Sequence, residues 1–190
     1  AIGRIRELIK AGDVYQINHT VRAHARLTDP WQTFLSKARS AAYGAYLQTR
    51  QFTVISASPE LLFSLAGEHV VSRPMKGTAP RGESSDMDEQ RAATLRTSAK
   101  NCAENLMITD MVRNDLGRIA RPGSVKVPGL FSLEPHATVW QMTSEVTADT
   151  TAEWVDVVDA LFPPASITGA PKAAAMQVID ELENSPRGIY

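Results

Sequence analysis

The chain has a single cysteine, Cys102, among its 190 residues. One thiol cannot form an internal disulfide, so a small secreted scaffold held by disulfides is excluded. No apolar run approaches the about 18 residues that a membrane-spanning helix needs. Internal repeats, low-complexity segments and Gly/Ser-rich linkers are also missing. These absences predict a single globular domain, and we expect a cytoplasmic enzyme or binding protein without a membrane partner.

An excess of positive or negative charge is also lacking, because the formal net charge is −1. Such a balance gives no electrostatic reason to expect nucleic acid or an anionic membrane as a partner. The 4 histidines are scattered without the spacing of zinc ligands. Neither a Walker phosphate-binding loop nor a Gly-x-Ser-x-Gly nucleophile motif occurs in the chain.

The hydrophobic pattern predicts an α+β fold with largely antiparallel sheets flanked by helices. Helices are predicted at 1–11, Trp31–Arg39, 86–116 with a break near Thr97 and Ser98, Trp154–Leu161 and Pro171–Glu183. Strands are predicted at 13–26, in a β-meander across 44–73, at Ser124–Val127 and at Val139–Val146.

Lys76 is the first candidate for chemistry, in the stretch Pro74-Met75-Lys76-Gly77-Thr78-Ala79-Pro80-Arg81-Gly82. It could be an ordinary surface lysine in a turn. The flanking prolines and glycine instead predict a short, rigid backbone, which a flexible surface loop rarely needs. A lysine nucleophile must lose its proton, and it therefore needs burial or a nearby positive charge.

Two glutamates are further candidates. Glu60 follows Ser58-Pro59 at the start of a strand, where it is either a solvated edge residue or a general acid. Glu104 shares a helical face with Met107, Ile108 and Met111. A carboxylate on an apolar face needs a partner, either an arginine or a divalent metal such as Mg²⁺.

The segment Thr168–Lys172 precedes a helix, where loose backbone amides can bind an anion. A simple helix cap explains the same residues equally well. Arg113-Asn114-Asp115, at the end of the long central helix, is interpreted as structural capping and ion pairing.

Taken together, these segments resemble the chorismate-utilising enzymes, which include anthranilate, aminodeoxychorismate, isochorismate and salicylate synthases. The matching stretches, in family order, are Gly12–Asn18, Ser58-Pro59-Glu60, Pro74–Thr78, Ala103–Met107, Arg113–Arg118 and Thr168–Lys172. The resemblance implies a fold of packed, largely antiparallel sheets flanked by helices.

Two positions distinguish members of this family. Water-adding relatives carry a lysine base where this chain has Gln16, so the resemblance implies ammonia as the incoming group. Anthranilate synthases typically carry alanine where this chain has Lys76, so the chain is most similar to component I of aminodeoxychorismate synthases. The implied product is 4-amino-4-deoxychorismate, for para-aminobenzoate and folate synthesis, with ammonia supplied by a glutamine amidotransferase subunit or domain.

The resemblance also assigns roles. Lys76 would attack C2 of chorismate while the C4 hydroxyl leaves with Glu60 as general acid, and ammonia would then add at C4 and expel the lysine. Glu104 would hold Mg²⁺ against the ring carboxylate of chorismate. The remaining substrate-binding residues would be Gln16, Gly77, Thr78, Gln141, Thr168 and Gly169. Gln141, where many relatives have histidine, and Asn101, where relatives often have an acid, depart from the family pattern.

We expect residues 1–190 to be part of the chorismate-binding catalytic domain, without the family's N-terminal domain and C-terminal end, and to be inactive alone. Three alternatives remain open. The first is component I of anthranilate synthase with an atypical lysine. The second is a non-catalytic anion-binding module that uses Thr168–Lys172. The third is a degenerate homologue with a role in assembly only.

Overall fold

The computed structural model describes residues 1–189. Its helices are α1 (Ile2–Ala11), α2 (Pro30–Thr33, continued by a π-helical turn Phe34–Ala38), α3 (Ser85–Thr97), α4 (Ala99–Gly117), α5 (Trp154–Leu161) and α6 (Lys172–Leu182). Its strands are β1 (Gln16–Ile17), β2 (Tyr43–Gln48), β3 (Thr53–Ser58), β4 (Leu61–Ala66), β5 (His69–Arg73), β6 (Met75–Pro80), β7 (Lys126–Pro135), β8 (Val139–Asp149) and β9 (Gly169–Ala170).

The chain divides into two compact units. The first contains Ala1–Val21 and the chain from Leu62 onward, and the second contains Arg22–Leu61. In the second unit, β2 and β3 form an antiparallel hairpin. Trp31 stacks on Phe34 with 5.4 Å between ring centroids, and Tyr46 of β2 meets Trp31 edge-on at 5.1 Å. Such aromatic contacts add to the stability of a small unit with few buried residues.

A five-stranded sheet dominates the first unit, and β8 is its central strand. β5 and β6 pair antiparallel with one edge of β8 in succession, separated only by Pro74. β7 pairs antiparallel with the other edge, and its register shifts twice. Successive side chains of a strand point to opposite faces, so β8 presents Met142, Val146 and Ala148 to one face.

The core of the first unit lies between this apolar face of the sheet and the helices α4 and α5. Its buried members are Val70, Val112, Leu116, Val146, Ala148, Val157 and Leu161. Each fully buried side chain of this size contributes roughly 1.5–3 kcal/mol. The core thereby fixes α4 and α5 against the sheet, and this packing positions the candidate site.

The helix ends agree with the signals in the sequence. Gly12 ends α1 with φ 84°, a left-handed conformation that glycine adopts without strain. The predicted break in the central helical region lies at Ser98, whose side chain accepts a hydrogen bond from Asn101 N and so caps α4. The helices predicted at 1–11, Trp154–Leu161 and Pro171–Glu183 are confirmed within one residue at each end.

The predicted α+β class with antiparallel pairing is confirmed, but the strand at 13–26 and the sheet arrangement across 44–73 were predicted wrongly. The strand expected at 13–26 is reduced to Gln16–Ile17, because only the two-residue β9 pairs with it. The apolar members of that alternating pattern are not buried, and Val21 is 87% exposed. The strands predicted across 44–73 are present as β2 to β5, but they form two hairpins, β2–β3 and β4–β5, in different sheets instead of one meander.

Around Lys76 a rigid backbone was expected but no strand was predicted, and the chain forms β6 there. β7 is also longer than the predicted Ser124–Val127 and continues to Pro135. Of the helices in the described part of the chain, none combines the length and the apolarity that crossing a membrane requires.

Candidate functional site

Lys76 lies in a β-bulge. Met75 pairs with Thr143 and Thr78 pairs with Gln141, so Lys76 and Gly77 together oppose the single residue Met142. A bulge of this kind leaves an extra residue unpaired and turns a side chain away from its regular direction. The rigidity predicted for this lysine is therefore present, but its source is an interrupted strand rather than a turn.

Gly77 is required by the bulge. Its φ of 98° lies in the left-handed region, and a Cβ there would stand 3.2 Å from Asn101 Cβ and 3.3 Å from Met142 Cβ. Both contacts are tighter than usual, so a side chain would push β6 away from α4. Gly77, a predicted substrate-binding residue, thus has a clear structural role in the backbone beside Lys76.

The amine of Lys76 points at the segment before β9. Its Nζ donates a hydrogen bond to the Ser166 carbonyl oxygen at 3.1 Å, and the residue is half-buried. Over residues 1–189, no carboxylate forms an ion pair with this amine. The only partner recorded for Nζ in this range is thus a neutral carbonyl, which leaves the lysine side chain uncommitted to a counter-ion.

The Ser166 segment leads directly to Thr168 and Gly169, which pair with the first strand. Gln16 opposes Ala170 and Ile17 opposes Gly169, and Asn18 N donates to the Thr168 carbonyl at 2.8 Å. The structure therefore brings together Gln16, Thr168 and Gly169, which are far apart in the sequence. A Cβ on Gly169 would stand 2.2 Å from the Gln16 carbonyl oxygen, so only glycine permits this close approach.

Polar side chains lie in and beside this pair of strands. Thr168 is 5% exposed, and its hydroxyl donates to the Pro164 carbonyl at 3.0 Å. Gln16 Nε2 donates to Asn18 Oδ1 at 3.3 Å, whereas Gln16 Oε1 is buried without a hydrogen-bond partner among the described residues. An acceptor in that state can take an N–H donor from a ligand without displacing a protein contact.

Thr78 and Gln141 form a cross-strand pair beside the bulge. Thr78 Oγ1 donates to Gln141 Oε1 at 3.0 Å, across the β6–β8 pairing. A cavity of about 460 Å³ is lined by Thr78, Leu95 and Asn101 among others. A second cavity, of about 480 Å³, is lined by Ile167, Thr168 and Arg187 among others. Either volume is within the range of small-molecule sites.

Glu104 does not lie in the buried apolar environment that the helical pattern predicts. Its side chain is 38% exposed and stands 3.8 Å from Lys100 Nζ, one helical turn earlier. The neighbouring Asn105 is instead the buried residue of this turn, at 1% exposure. The carboxylate is therefore accessible from solvent, and its exposed ion pair is weak enough to be exchanged for another partner.

The buried carboxylate of α4 is Asp115. Its Oδ2 accepts a hydrogen bond from Lys172 Nζ at 2.6 Å, and the two side chains are 9% and 16% exposed. Burial raises the pKa of Asp115, and the hydrogen bond from Lys172 acts in the opposite direction. Lys172 is thus committed to Asp115, which ties the start of α6 to the end of α4, and Asp115 has the ion-pairing role expected for it.

Glu60 belongs to the second unit, at the junction between β3 and β4. It is half-buried, and its backbone N–H donates to Ser58 Oγ at 3.2 Å. The other predicted site residues, Lys76, Gln16, Gly77, Thr78, Gln141, Thr168, Gly169 and Glu104, all belong to the first unit.

The sequence pattern did not identify two residues, Asn105 and Arg187, that join distant segments of the first unit. Asn105 lies in the matching stretch Ala103–Met107. Asparagine is unusual inside a long helix, and this was a signal that the sequence offered. Arg187 donates hydrogen bonds to the carbonyls of Ile167 at 2.9 Å and Asn18 at 2.6 Å, and it pairs with Glu183. Nothing in the sequence pattern connects Arg187 with residues this distant.

The donor set was tested against the expected Mg²⁺. The described residues contain no group of three or more His, Cys, Asp or Glu side chains placed to hold a metal ion. Mg²⁺ in enzymes commonly uses only one or two carboxylates and takes its other ligands from water and substrate oxygens. One accessible carboxylate, Glu104, fits that smaller requirement.

Comparison with known proteins gives a consistent result. Residues 1–190 match a family model described as chorismate binding enzyme. Aminodeoxychorismate synthase component 1 of Escherichia coli (strain K12) is 43% identical over 192 residues, which cover 98% of this chain and 42% of that protein. An anthranilate synthase component 1 of Haloarcula marismortui is 40% identical over 197 residues, which cover 100% of this chain and 36% of that protein.

A solved structure agrees with the computed fold. Anthranilate synthase component I from Streptococcus pneumoniae superposes with a TM-score of 0.88 at 30% sequence identity, covering 100% of this chain and 42% of the solved chain. The chain thus spans less than half the length of the relatives that it matches.

Proposed function

This chain belongs to the chorismate-binding enzyme family, and on that premise we propose that it is the part of an aminodeoxychorismate synthase component I that carries the lysine nucleophile. The protein then converts chorismate and ammonia to 4-amino-4-deoxychorismate. The observation that carries the proposal is the bulge at Lys76, which directs the amine to the Ser166 carbonyl at 3.1 Å. That segment continues into Thr168 and Gly169, which pair with Gln16 and its strand.

The reaction is a double displacement. The neutral Lys76 amine forms a bond to C2 of chorismate, both ring double bonds shift by one position, and the C4–O bond breaks. A carboxylic acid at Glu60 gives its proton to the departing hydroxyl, which leaves as water. Ammonia then bonds to C4, both double bonds shift back, and the C2–N bond breaks, which leaves Lys76 as the neutral amine and the product with an ammonium group at C4. The covalent lysine explains the position of the new nitrogen, which ends at C4, where the hydroxyl was, and not at C2.

Gln16 supports ammonia over water as the second nucleophile. A glutamine amide cannot deprotonate water at neutral pH, whereas ammonia needs no base in order to attack. The buried Oε1 of Gln16 has no hydrogen-bond partner among residues 1–189, and it can accept one N–H from a small donor. We infer that Gln16 binds and orients the incoming ammonia next to Thr168.

Mg²⁺ is proposed as the cofactor, with Glu104 as its ligand in this chain. When bound, the cation would neutralise the ring carboxylate of chorismate and so bind the substrate more tightly. Glu104 is suited to this role because its side chain is accessible and its partner Lys100 stands at 3.8 Å in an exposed pair. Thr168 and Gly169 are proposed to contact the same carboxylate region of chorismate. They follow Ser166, whose carbonyl accepts a hydrogen bond from the Lys76 amine.

A glutamine amidotransferase is proposed as the source of ammonia. The Escherichia coli relative is named as component 1 of aminodeoxychorismate synthase, a name that implies at least a second component. The described surface does not single out a docking site for such a partner.

Anthranilate synthase is the second candidate, because an anthranilate synthase component 1 is 40% identical to this chain. That reaction places the nitrogen at C2 directly and needs no covalent lysine. The two candidates therefore differ in what Lys76 does, and Lys76 is the residue on which to test them.

The deciding experiment is intact-mass spectrometry of the full-length protein incubated with chorismate and Mg²⁺ in the absence of ammonia. We expect an adduct that maps to Lys76 and is absent from Lys76→Ala, which should also lose synthesis of 4-amino-4-deoxychorismate. Lys126→Ala, a change at an exposed lysine of the same sheet, is the matched control and should behave like the parent. Formation of ortho-aminobenzoate by Lys76→Ala at the parent rate would instead identify an anthranilate synthase.

A further inference from the structure

Asn105 stands at the centre of the contacts that hold the bulge. Its side chain is 1% exposed and lies on α4, the helix packed against β6 and β8. Asn105 Nδ2 donates hydrogen bonds to the Lys76 carbonyl at 3.1 Å and to the Met142 carbonyl at 3.2 Å. These two residues face each other across the bulge, so one amide group bridges the two strands where their regular pairing is interrupted.

The acceptor side of the same amide is also occupied. Asn105 Oδ1 accepts from Ser144 Oγ at 2.5 Å and from Thr109 Oγ1 at 3.3 Å. Both donors of Nδ2 and the carbonyl oxygen are therefore used, and the amide cannot rotate without losing several bonds at once. A fully satisfied polar group inside a buried interface selects one arrangement of the three elements that it joins.

We propose that Asn105 is the positioning residue for the Lys76 nucleophile. The inference rests on the proposed function, since it concerns how Lys76 is aimed rather than which reaction follows. Nδ2 fixes the Lys76 carbonyl, the carbonyl fixes the backbone of the bulge, and the bulge directs the amine at Ser166. Because Asn105 is the chain neighbour of Glu104, the same turn of α4 also sets the distance between the proposed nucleophile and the proposed Mg²⁺ ligand.

Positioning of this kind acts on the chemical step more than on substrate binding. A misplacement of about 1 Å at a reacting group can cost on the order of 100-fold in rate. Asn105 does not reach the substrate in this scheme, because both of its Nδ2 bonds go to the protein backbone. Its removal should therefore lower kcat, and the KM for chorismate should stay nearly constant.

The test compares Asn105→Ala with the parent in the full-length protein, by the single-turnover rate of the Lys76 adduct together with kcat and KM. We expect a fall of about 100-fold in adduct rate and kcat, with KM for chorismate changed by less than about 3-fold. Asn184→Ala removes an exposed asparagine and is the matched control, with rates expected to equal those of the parent. Thermal unfolding of each variant separates a loss of folded protein from a loss of rate.

A second variant covers a failure of Asn105→Ala to fold. Asn105→Asp keeps the shape but loses both N–H donors, so it should show the same fall in adduct rate per folded molecule. An adduct rate equal to that of the parent in either folded variant overturns the role of Asn105 and leaves the proposed function intact. If the parent itself forms no adduct at Lys76, the proposed function is wrong and the inference falls with it.

Discussion

Gly169 is the residue at which a single added methyl group should separate the proposed binding residues. A Cβ there would lie 2.2 Å from the Gln16 carbonyl oxygen and 2.8 Å from Ala175 Cβ. Gly169→Ala should therefore push β9 from β1 and destabilise the protein by about 1–3 kcal/mol. Hydrogen exchange at residues 15–18 should become faster, and the change in thermal unfolding measures the cost. Gly3→Ala, where a Cβ would meet nothing within 4 Å, is the control.

If Gly169→Ala unfolded at the parent temperature and kept slow exchange at residues 15–18, the close approach of β9 and β1 would not be a constraint. The same variant also tests at which step Gln16 acts. If product formation with ammonia is lost while the rate of adduct formation at Lys76 is unchanged, Gln16 acts in the second displacement only.

At the level of single residues, the sequence identified the candidates but not their surroundings. Lys76 was recognised from its flanking prolines and glycine, yet its hydrogen-bond partner Ser166 is 90 positions away along the chain. Glu104 was expected to be buried because of its apolar helical neighbours, but only Asn105 on this turn is turned fully inward. Helical periodicity gives the direction of a face to within about one residue, which is too coarse to separate adjacent positions.

Between elements, Glu183 and Arg187 join the C-terminal end of α6 to the segment that follows β1. Glu183 Oε1 accepts from Thr20 N at 2.8 Å and from Arg187 at 2.7 Å, and both side chains are nearly buried. The Arg187 guanidinium, followed by the Thr20 backbone N–H, lowers the pKa of Glu183 from 4.5 to about 2. The folded state thus favours the ionised carboxylate more strongly than the unfolded chain does.

This shift predicts a specific dependence of stability on pH. The contribution of Glu183 is fully present above pH 4.5 and is lost as the pH falls from 4.5 towards 2, where the folded carboxylate becomes protonated. Glu183→Gln removes the charge, so at pH 7 it should lower the free energy of unfolding by roughly 1.5–3 kcal/mol. The difference between the two proteins should shrink through that acidic range, as measured by denaturant unfolding at several pH values.

The comparison with Glu183→Gln is needed because other carboxylates act in the same range. Hydrogen bonds from Arg81 and Gly82 also depress the pKa of Asp88, and a hydrogen bond with His69 depresses that of Asp149. Their contributions are common to both proteins and cancel in the difference. A stability difference that stayed constant between pH 7 and pH 3 would mean that the pair with Arg187 does not depend on the charge of Glu183.

The elements themselves were predictable where a long hydrophobic repeat specifies them. The helices α1 and α5 follow from amphipathic periodicity, and the break between α3 and α4 follows from the capping serine Ser98. β6 was missed because Met75–Pro80 has two prolines nearby, a glycine inside and no apolar alternation. Those features break a regular strand, and they are present because this strand carries a bulge. The irregularity that hid the strand is the same one that directs Lys76.

At the scale of the whole molecule, the chain spans 42% of the Escherichia coli relative. Among residues 1–189, no three His, Cys, Asp or Glu side chains are grouped so that they could hold a metal ion, and the proposed Mg²⁺ would therefore rely on Glu104, water and substrate. The sequence could predict the family and the order of its motifs, because each motif is local. It could not predict how many ligands other parts of the domain contribute, because those contacts join segments that are far apart in the chain.

We therefore expect residues 1–190, produced alone, to show no turnover of chorismate with ammonia and Mg²⁺, whereas the full-length protein does. The physical reason is that Mg²⁺ uses one or two carboxylates, and in this segment Glu104 alone would supply the smaller number, so a second ligand or substrate contact would have to come from the rest of the domain. Product formation is followed by liquid chromatography, with circular dichroism to establish that the segment is folded. Turnover by the folded segment at a rate near that of the full-length protein would show that Glu104, Lys76 and Gln16 already form a complete site.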